Sequence, residues 1–547
     1  VAKEAIFFRL VEASFSQEPM VPQATKTMPM GSYRVAVIGG GLTGLSAAHR
    51  LVELARHREA PLTVTVFEAG SRLGGVMGTR RIGGYLVDTG ADSFLTNKPA
   101  AVALCRRLGI EHRLIPTDIR YRGALVLSEG RPVPVPDGFQ LLIPTAMWPM
   151  VTTPLLSPWG KLRLLMEYFV PPRRLSTVST SDNDGRSSAR CELPEESLAD
   201  FVRRRFGRET FERLVQPLVG GIYTADPERL SVAATMPRFL DMEQEYGSLM
   251  RAAWHRDSGE NHEIAAAEET RDVSRKKWRV RPSRQGDDAS SSGARYGMFA
   301  GLAGGMEDLL GALTSRVETD CTVHLKTRIT AVSRTSAASA GYQLAASDGS
   351  LSKFDAVIIS TPAYHAATML ELLDSKLAQE LNGIEYASSA IVVTGHKLAD
   401  VRHPLQSFGL VVPQRERRRI LAASFSSRKF PDRAPADSVL IRTFVGGAMQ
   451  AELLQREDNE LVTLVREELA DIFGVQGDPE IALVVRYPRA MPQYHVGHLD
   501  RVARIENLTS KYTGVHLAGN AYRGVGIPDT ILNGEMTAEA IVDRAMS

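Results

Sequence analysis

The sequence predicts an α/β protein whose principal sheet is parallel. Three observations predict it. The stretch RVAVIGGGLTGLSAAHRL (Arg34–Leu51) sets a short apolar strand, a glycine-rich turn and a helical period in a row. A second strand, Leu62–Phe67, follows and ends on an acid, Glu68. The chain closes on the same succession: strand Val515–Ala518, glycine-rich turn, helix Pro528–Ala545.

Taken in order, Arg34–Ile38 has the apolar run of a strand buried on both faces. Leu42–His57 carries Leu42, Leu45, Ala48, Leu51, Val52 and Ala55 at helical spacing, and with Leu62–Phe67 it completes a βαβ unit. Asn97 is the expected N-cap of a helix with Pro99 in its first turn and Gly109 at its end. Ala124–Leu127 and Pro132–Val135 read as a hairpin joined by SEGR, and Ser197 as the cap of helix Leu198–Phe206, stopped by Gly207. The segments Arg173–Arg190 and His255–Arg295 are polar and charged, and are expected to be solvated loops or disorder. AGGMEDLLGALTSRV reads as a helix. Strands are expected at Thr322–Lys326, Ile329–Ser333, Tyr342–Ala346 and Asp355–Thr361. Residues 395–490 alternate strands with turns, and include a helix at Asn459–Phe473.

With 547 residues the chain is too long for one simple core. The expected division is a disordered or over-extended N-terminus (1–32), nucleotide-binding parts at 33–100, 296–370 and 501–547, substrate-binding parts at 101–254 and 371–500, and a low-complexity insertion at 255–295. An apolar fraction of 44% and a charged fraction of 23% are those of a soluble globular protein. A net charge of +2 argues against a nucleic-acid partner. Cys105, Cys191 and Cys321 are sparse and odd in number, as expected of reduced thiols in a cytoplasmic protein. No apolar run reaches the ~20 residues of a membrane span. The longest apolar-rich stretch, Leu141–Trp159, is broken by Pro144, Pro149, Pro154 and Pro158, and suits a greasy surface or tunnel wall.

The spacing Gly39-x-Gly41-x-x-Gly44 between strand and helix is a dinucleotide-binding pattern, here on a Rossmann-like unit. Gly39 permits the tight turn, Gly41 a close approach of backbone to diphosphate, and Gly44 close packing of helix on strand. Gly40, Leu42 and Thr43 complete the turn, whose N–H groups face the phosphates. Glu68 stands where a carboxylate holds ribose hydroxyls; an acid there disfavours a 2′-phosphate. EAGSRLGGVMG then adds a second glycine pair, Gly74-Gly75, beside Arg72, and a second N–H-rich turn with a guanidinium neutralises more of a diphosphate.

That last string resembles the Glu-Ala-x-x-Arg-x-Gly-Gly element of the FAD-dependent amine oxidase superfamily. The resemblance implies a two-domain fold: a Rossmann-like FAD-binding domain, a mixed-sheet substrate domain and a helical, membrane-facing region. It implies FAD contacts from Ala69, Gly75 and Val76; from Gly90, Ala91, Asp92 and Ser93 in VDTGADS; from the backbone at Ile329 in RITAV; and from Gly519, Asn520, Val525, Gly526 and Ile527 in HLAGNAYRGVGIPDTI. LVQPLVGGIYTADPERLS, YRGALVLSEGRPVPVPDG and GNAYRGVGIPDTI are similar to blocks of the protoporphyrinogen oxidases. The resemblance covers most of residues 34–545 and implies six-electron oxidation of protoporphyrinogen IX or coproporphyrinogen III in haem biosynthesis, with O2 as acceptor and H2O2 as product. It leaves open a homodimer, hand-over of product to a ferrochelatase and peripheral contact with the cytoplasmic membrane.

The chemistry agrees with what the sequence lacks, since it holds no HExxH, no Ser/His/Asp signature and no metal-ligand cluster. A methylene flanked by electron-rich pyrroles gives up hydride because the cation left behind is delocalised, so the reaction is flavin-centred and needs no catalytic side chain. Arg122, just before a strand, is the candidate partner for a substrate propionate. His495 and His498, at i,i+3 without a third ligand, are expected to be structural. Two alternatives stay open: an amine oxidase or carotenoid desaturase on the same scaffold, and a non-catalytic binding protein such as a guanine-dissociation inhibitor.

Overall fold

The computed structural model describes residues 32–546 apart from 141–142, 145–146, 174–175, 182–186, 193–194, 258–298 and 336–340. The expected N-terminal extension and nearly all of the charged insertion therefore lie outside the described residues.

The predicted parallel sheet forms from segments scattered along the chain. Its five strands run in the order Thr322–His324, Leu62–Phe67, Tyr33–Ile38, Ala356–Ile359, Val515–Leu517, all pairs parallel. The last four residues of Tyr33–Ile38, Val35 to Ile38, are buried, as a strand covered on both faces requires. Helices Leu42–His57, Glu307–Asp320 and Ile527–Ala545 cover one face and share a core with Val35, Val37, Val64 and Val66. Ala36, Ile38 and Val357 face the opposite core, built with the antiparallel strands Ile329–Arg334, Tyr342–Ala346 and Leu351–Phe354. The first and last helices approach closely: a Cβ on Gly534 would stand 2.4 Å from the Thr43 carbonyl oxygen.

A mixed sheet of seven strands forms the second layer, in the order Ile481–Pro492, Tyr386–Lys397, Ser438–Gly446, Ala422–Phe425, Gly409–Val411, Leu125–Ser128, Arg131–Pro134. Only Gly409–Val411 and Leu125–Ser128 pair in parallel. Helix Asp458–Phe473, capped by a reciprocal Glu457/Glu460 box, packs on it through Leu461, Leu464 and Val465. A group of helices between Met147 and Asp257 forms a third core around Phe201, Phe206, Leu214 and Phe239. The expected class, a parallel nucleotide-binding sheet with a mixed-sheet domain and a helical region, is the one observed.

Two local expectations change. Pro99, not Asn97, occupies the N-cap of Ala100–Arg107, which has no side-chain cap. The Ser/Asp-rich stretch holds a two-stranded hairpin, Ser176–Ser181 against Ser187–Glu192, where a loop was expected; the sequences STVSTS and SSARCE show no apolar alternation to reveal it. Ser197 caps its helix as expected, accepting from the Asp200 N–H, and Gly207 ends it at φ +90°.

Candidate cofactor and substrate site

The first glycine turn is built by three different constraints. Gly39 sits at φ +106° and donates its N–H to Phe67 across the sheet at 2.8 Å. Gly44 has no room for a side chain, because a Cβ there would lie 2.0 Å from the Gly39 oxygen. A Cβ on Gly41 would meet nothing within 4 Å. Gly41 is also the N-cap of Leu42–His57, and no side chain caps that helix, so its first N–H groups are left for an anion. Leu42 and Thr43 turn their side chains into the core, and contribute to this edge through backbone alone.

The second glycine pair closes on the first. The Gly74 N–H donates to the Gly40 oxygen at 2.8 Å, and Gly75, at φ +59°, would bring a Cβ within 3.2 Å of the Gly41 Cα. The two turns thus flank the space in front of Gly41. Arg72 holds the second turn, donating to the carbonyls of Leu73 (3.0 Å), Met77 (3.0 Å) and Gly75 (2.8 Å). Glu68 accepts from the N–H groups of Gly40 (2.7 Å) and Gly70 (2.6 Å), fixing its carboxylate at the end of the second strand. Ala69 is exposed there, and Ile329 follows on the neighbouring antiparallel sheet after Thr327 N–H bonds the Glu68 carbonyl at 2.9 Å. Val76, 60% exposed, is an apolar side chain left open on the rim beside Gly75.

Beyond the turns lies the loop after strand Tyr85–Asp88. The Thr89 N–H donates to the Gly78 oxygen at 2.8 Å, and a Cβ on Gly90 would stand 2.9 Å from the Val76 oxygen, so the loop lies against the second turn. Ala91 is exposed. The Asp92 carboxylate is taken up inside the protein, by Lys429 at 2.8 Å and Arg442 at 2.9 Å, and Lys429 also donates to Ser93 Oγ at 2.6 Å. Those two cations hold the Asp92 carboxyl well below the usual carboxylate range in spite of its burial. Arg442 reaches the Gly90 carbonyl as well. Neither cation was singled out in sequence; an arginine inside SVLIRTFVG was the only signal.

The last segment completes the edge. Gly519 donates to Asn533 Oδ1 at 2.6 Å, Tyr494 Oη donates to the Asn520 carbonyl at 2.6 Å, and His498 Nε2 bonds the Tyr522 carbonyl at 3.0 Å while its ring stacks on Tyr494. His498 is therefore a buttress of this loop, and His495 stands 3.6 Å from Glu385. Gly526 is the N-cap of Ile527–Ala545, again without a side-chain cap, and Lys98 pairs with Asp529 in its first turn at 2.7 Å. Val525 packs with Tyr223 on the helical core, so the loop reaches the seam between layers. Arg122 is half-buried at the end of the turn Ile119–Tyr121, a segment tied by the Asp118 N–H to the Lys429 carbonyl at 3.0 Å.

Burial makes three imidazoles hard to charge: His396, His498 and His516 are each pushed down to about 4. Between that value and the ordinary 6.5 the unfolded chain binds these protons and the folded chain does not. Stability is therefore expected to fall as pH falls from 6.5 toward 4, by about 1.4 kcal/mol per pH unit for each imidazole fully in the window. Urea midpoints across that range test it; a flat profile would contradict the burial argument.

Two uncapped helix starts, two glycine turns and an acid at the second strand's end have the geometry of a dinucleotide-binding edge. The sequence matches the flavin containing amine oxidoreductase family over residues 42–542, and the chain belongs to that family. It is 31% identical to the coproporphyrinogen III oxidase of Bacillus subtilis (strain 168) over 93% of this chain and 97% of that one. It is 27% identical to protoporphyrinogen oxidase 2, chloroplastic/mitochondrial, of Arabidopsis thaliana over 93% and 94%. A crystal structure from Exiguobacterium sp. 255-15, assigned as a protoporphyrinogen oxidase, matches at a TM-score of 0.75 and 28% identity, covering 94% of this chain and all (100%) of that one. A redesigned putrescine oxidase, at 14% identity and a TM-score of 0.60 over 94% of this chain and 99% of that one, shares the fold.

Proposed function

We propose that this chain oxidises a porphyrinogen, protoporphyrinogen IX or coproporphyrinogen III, to the porphyrin of haem biosynthesis, with FAD as cofactor and O2 as acceptor. Six electrons leave in three two-electron steps, giving H2O2. The observation that carries the reading is the space in front of Gly41, enclosed by a second glycine turn, in a chain whose relatives act on porphyrinogens. Backbone N–H groups at Gly41–Gly44 and the Gly74-Gly75 turn would hold the diphosphate, and Glu68 the ribose of an adenosine half. The uncapped start of Ile527–Ala545 would place a positive dipole end toward the ring. Bound there, FAD supplies a hydride acceptor. The protein's own tasks are to orient a macrocycle carbon, exclude water and hold carboxylates. The test is to give the pure protein each porphyrinogen under air and follow porphyrin fluorescence; no growth with either overturns the reading.

Arg122 is the proposed propionate partner. Arg122→Ala is expected to raise the apparent KM by about tenfold or more with little change in kcat. An unchanged KM would remove Arg122 from the site.

Among the described residues no helix is long and apolar enough to cross a membrane. The helical region nevertheless exposes Trp148 (76%), Trp159 (80%), Phe169 (76%) and Met166 (50%) within one short span. That grouping supports shallow seating on an anionic lipid surface. Trp148→Ser combined with Trp159→Ser is expected to weaken co-sedimentation with anionic vesicles by at least about tenfold; equal sedimentation would refute the seating.

A further inference from the structure

The loop Val87–Ser93 is underlain by a cluster of buried charge that the proposed chemistry has not used. Lys429 and Arg442 pair with Asp92, at 2.8 and 2.9 Å, with side chains 14%, 3% and 9% exposed. Beside them Arg433 lies 3.8 Å from Asp88, both 1% exposed. Arg433 also donates to the carbonyls of Leu302 (2.7 Å) and Ala303 (3.1 Å), while Asp88 accepts from Thr79 Oγ1 at 2.7 Å and Met306 N–H at 2.8 Å. Asp308, the next acid toward Arg433, is already bonded to Arg113. Arg433 is balanced by Asp88 with Asp308 and Asp432 beyond it, whereas Lys429 and Arg442 share the single carboxylate of Asp92, so this triad carries a net positive charge largely shielded from water.

The position of this charge follows from the cradle. Glu68 stands at the second strand's end, the space for a diphosphate lies between Gly41 and Gly75, and the same edge continues through Val76 to Gly90 and across to the start of the last helix, which Lys98 ties in through Asp529. A dinucleotide lying along this edge with its adenosine half at Glu68 would bring its redox-active end to the Gly90–Ser93 loop. Arg442 binds the Gly90 carbonyl, and Lys429 binds Ser93 Oγ, so both cations also fix that loop.

We propose that Lys429 and Arg442 are positioning residues that set the flavin's reduction potential: with Asp92 they hold the Gly90–Ser93 loop and supply an excess positive charge that favours the two-electron reduced form. A hydride delivers two electrons and one proton, so the reduced ring gains negative charge, and a nearby cation lowers its free energy more than that of the neutral oxidised ring. The inference rests on the flavin reading above.

The experiment measures the midpoint potential of the bound flavin and the flavin content of the wild type, Lys429→Gln and Asp92→Asn. Removing a cation is expected to lower the potential, and removing the anion to raise it. Each shift should amount to at least tenfold in the reduction equilibrium, ~30 mV for a two-electron couple. A purely structural role for the triad would move both variants the same way. Lys429→Arg, which keeps the charge, should return the potential toward that of the wild type. Should Asp92→Asn fail to fold, Arg442→Gln replaces it and is expected to lower the potential as Lys429→Gln does. Lys429→Gln or Arg442→Gln holding flavin at an unchanged or raised potential, Asp92→Asn lowering it, or Lys429→Arg failing to restore it, overturns the inference alone. A wild type that takes up no flavin overturns the cofactor reading and this inference together.

Discussion

A Gly41→Val protein is expected to purify folded and colourless. Gly41 has φ −75° and ψ 178°, extended backbone open to any residue, and a Cβ there meets no protein atom within 4 Å. The apoprotein therefore loses little, within about 0.5 kcal/mol by urea unfolding. The isopropyl group instead fills the space between the two glycine turns, where the proposed diphosphate would lie. Gly44→Val should behave differently. Its Cβ would lie 2.0 Å from the Gly39 oxygen and 2.5 Å from Ser360 Oγ, so the first helix has to lift from the sheet at a cost of about 1–3 kcal/mol or more. Flavin absorbance against protein absorbance, read beside the urea midpoint, separates the two variants. A Gly41→Val protein fully loaded with flavin would place the diphosphate elsewhere.

The second large effect lies in the helical region. Glu167 and Arg205 are both 0% exposed and paired. Glu167 also accepts from Ser248 Oγ (2.7 Å) and from the N–H groups of Leu249 (3.0 Å) and Met250 (3.2 Å), so it serves as a buried anion at the start of helix Leu249–Asp257. Arg205 reaches the carbonyls of Val170 (3.0 Å) and Gly247 (3.1 Å) as well as Glu243. Glu167→Ala is expected to destabilise the protein by about 3–5 kcal/mol, because it leaves the buried guanidinium only the more distant Glu243, shared with Arg204, and two helix N–H groups without an acceptor. Adding Arg205→Met should recover part of that loss. Denaturant unfolding of the two single variants and the double tests this. Strict additivity would mean that the pair does not act as a unit.

Much of the glycine-turn edge was legible in the sequence because its demands are local. A glycine at positive φ, a helix start without a cap and an acid at a strand's end each leave a trace within a few residues. Asp92 was less legible. Read as a cofactor contact, its carboxylate is bound by Lys429, 337 residues away. Its side chain organises the loop from within, and only the backbone and its neighbours remain for a ligand. The large sheet was legible as strands but not as an order, because Leu125–Ser128 finds Gly409–Val411 only through packing. Nor did periodicity point to Tyr494 and His498 as supports of the Asn520–Tyr522 carbonyls, since a buried ring that bonds backbone looks in sequence like any other core residue.

The last helix presses Gly534 onto the first at Thr43, and the strand before it, Val515–Leu517, borders Ala356–Ile359. During synthesis the opening βαβ unit therefore stays incompletely covered until the segment Val515–Ala545 has left the ribosome. Chains cut short before Val515 would expose that unfinished surface to proteases and chaperones.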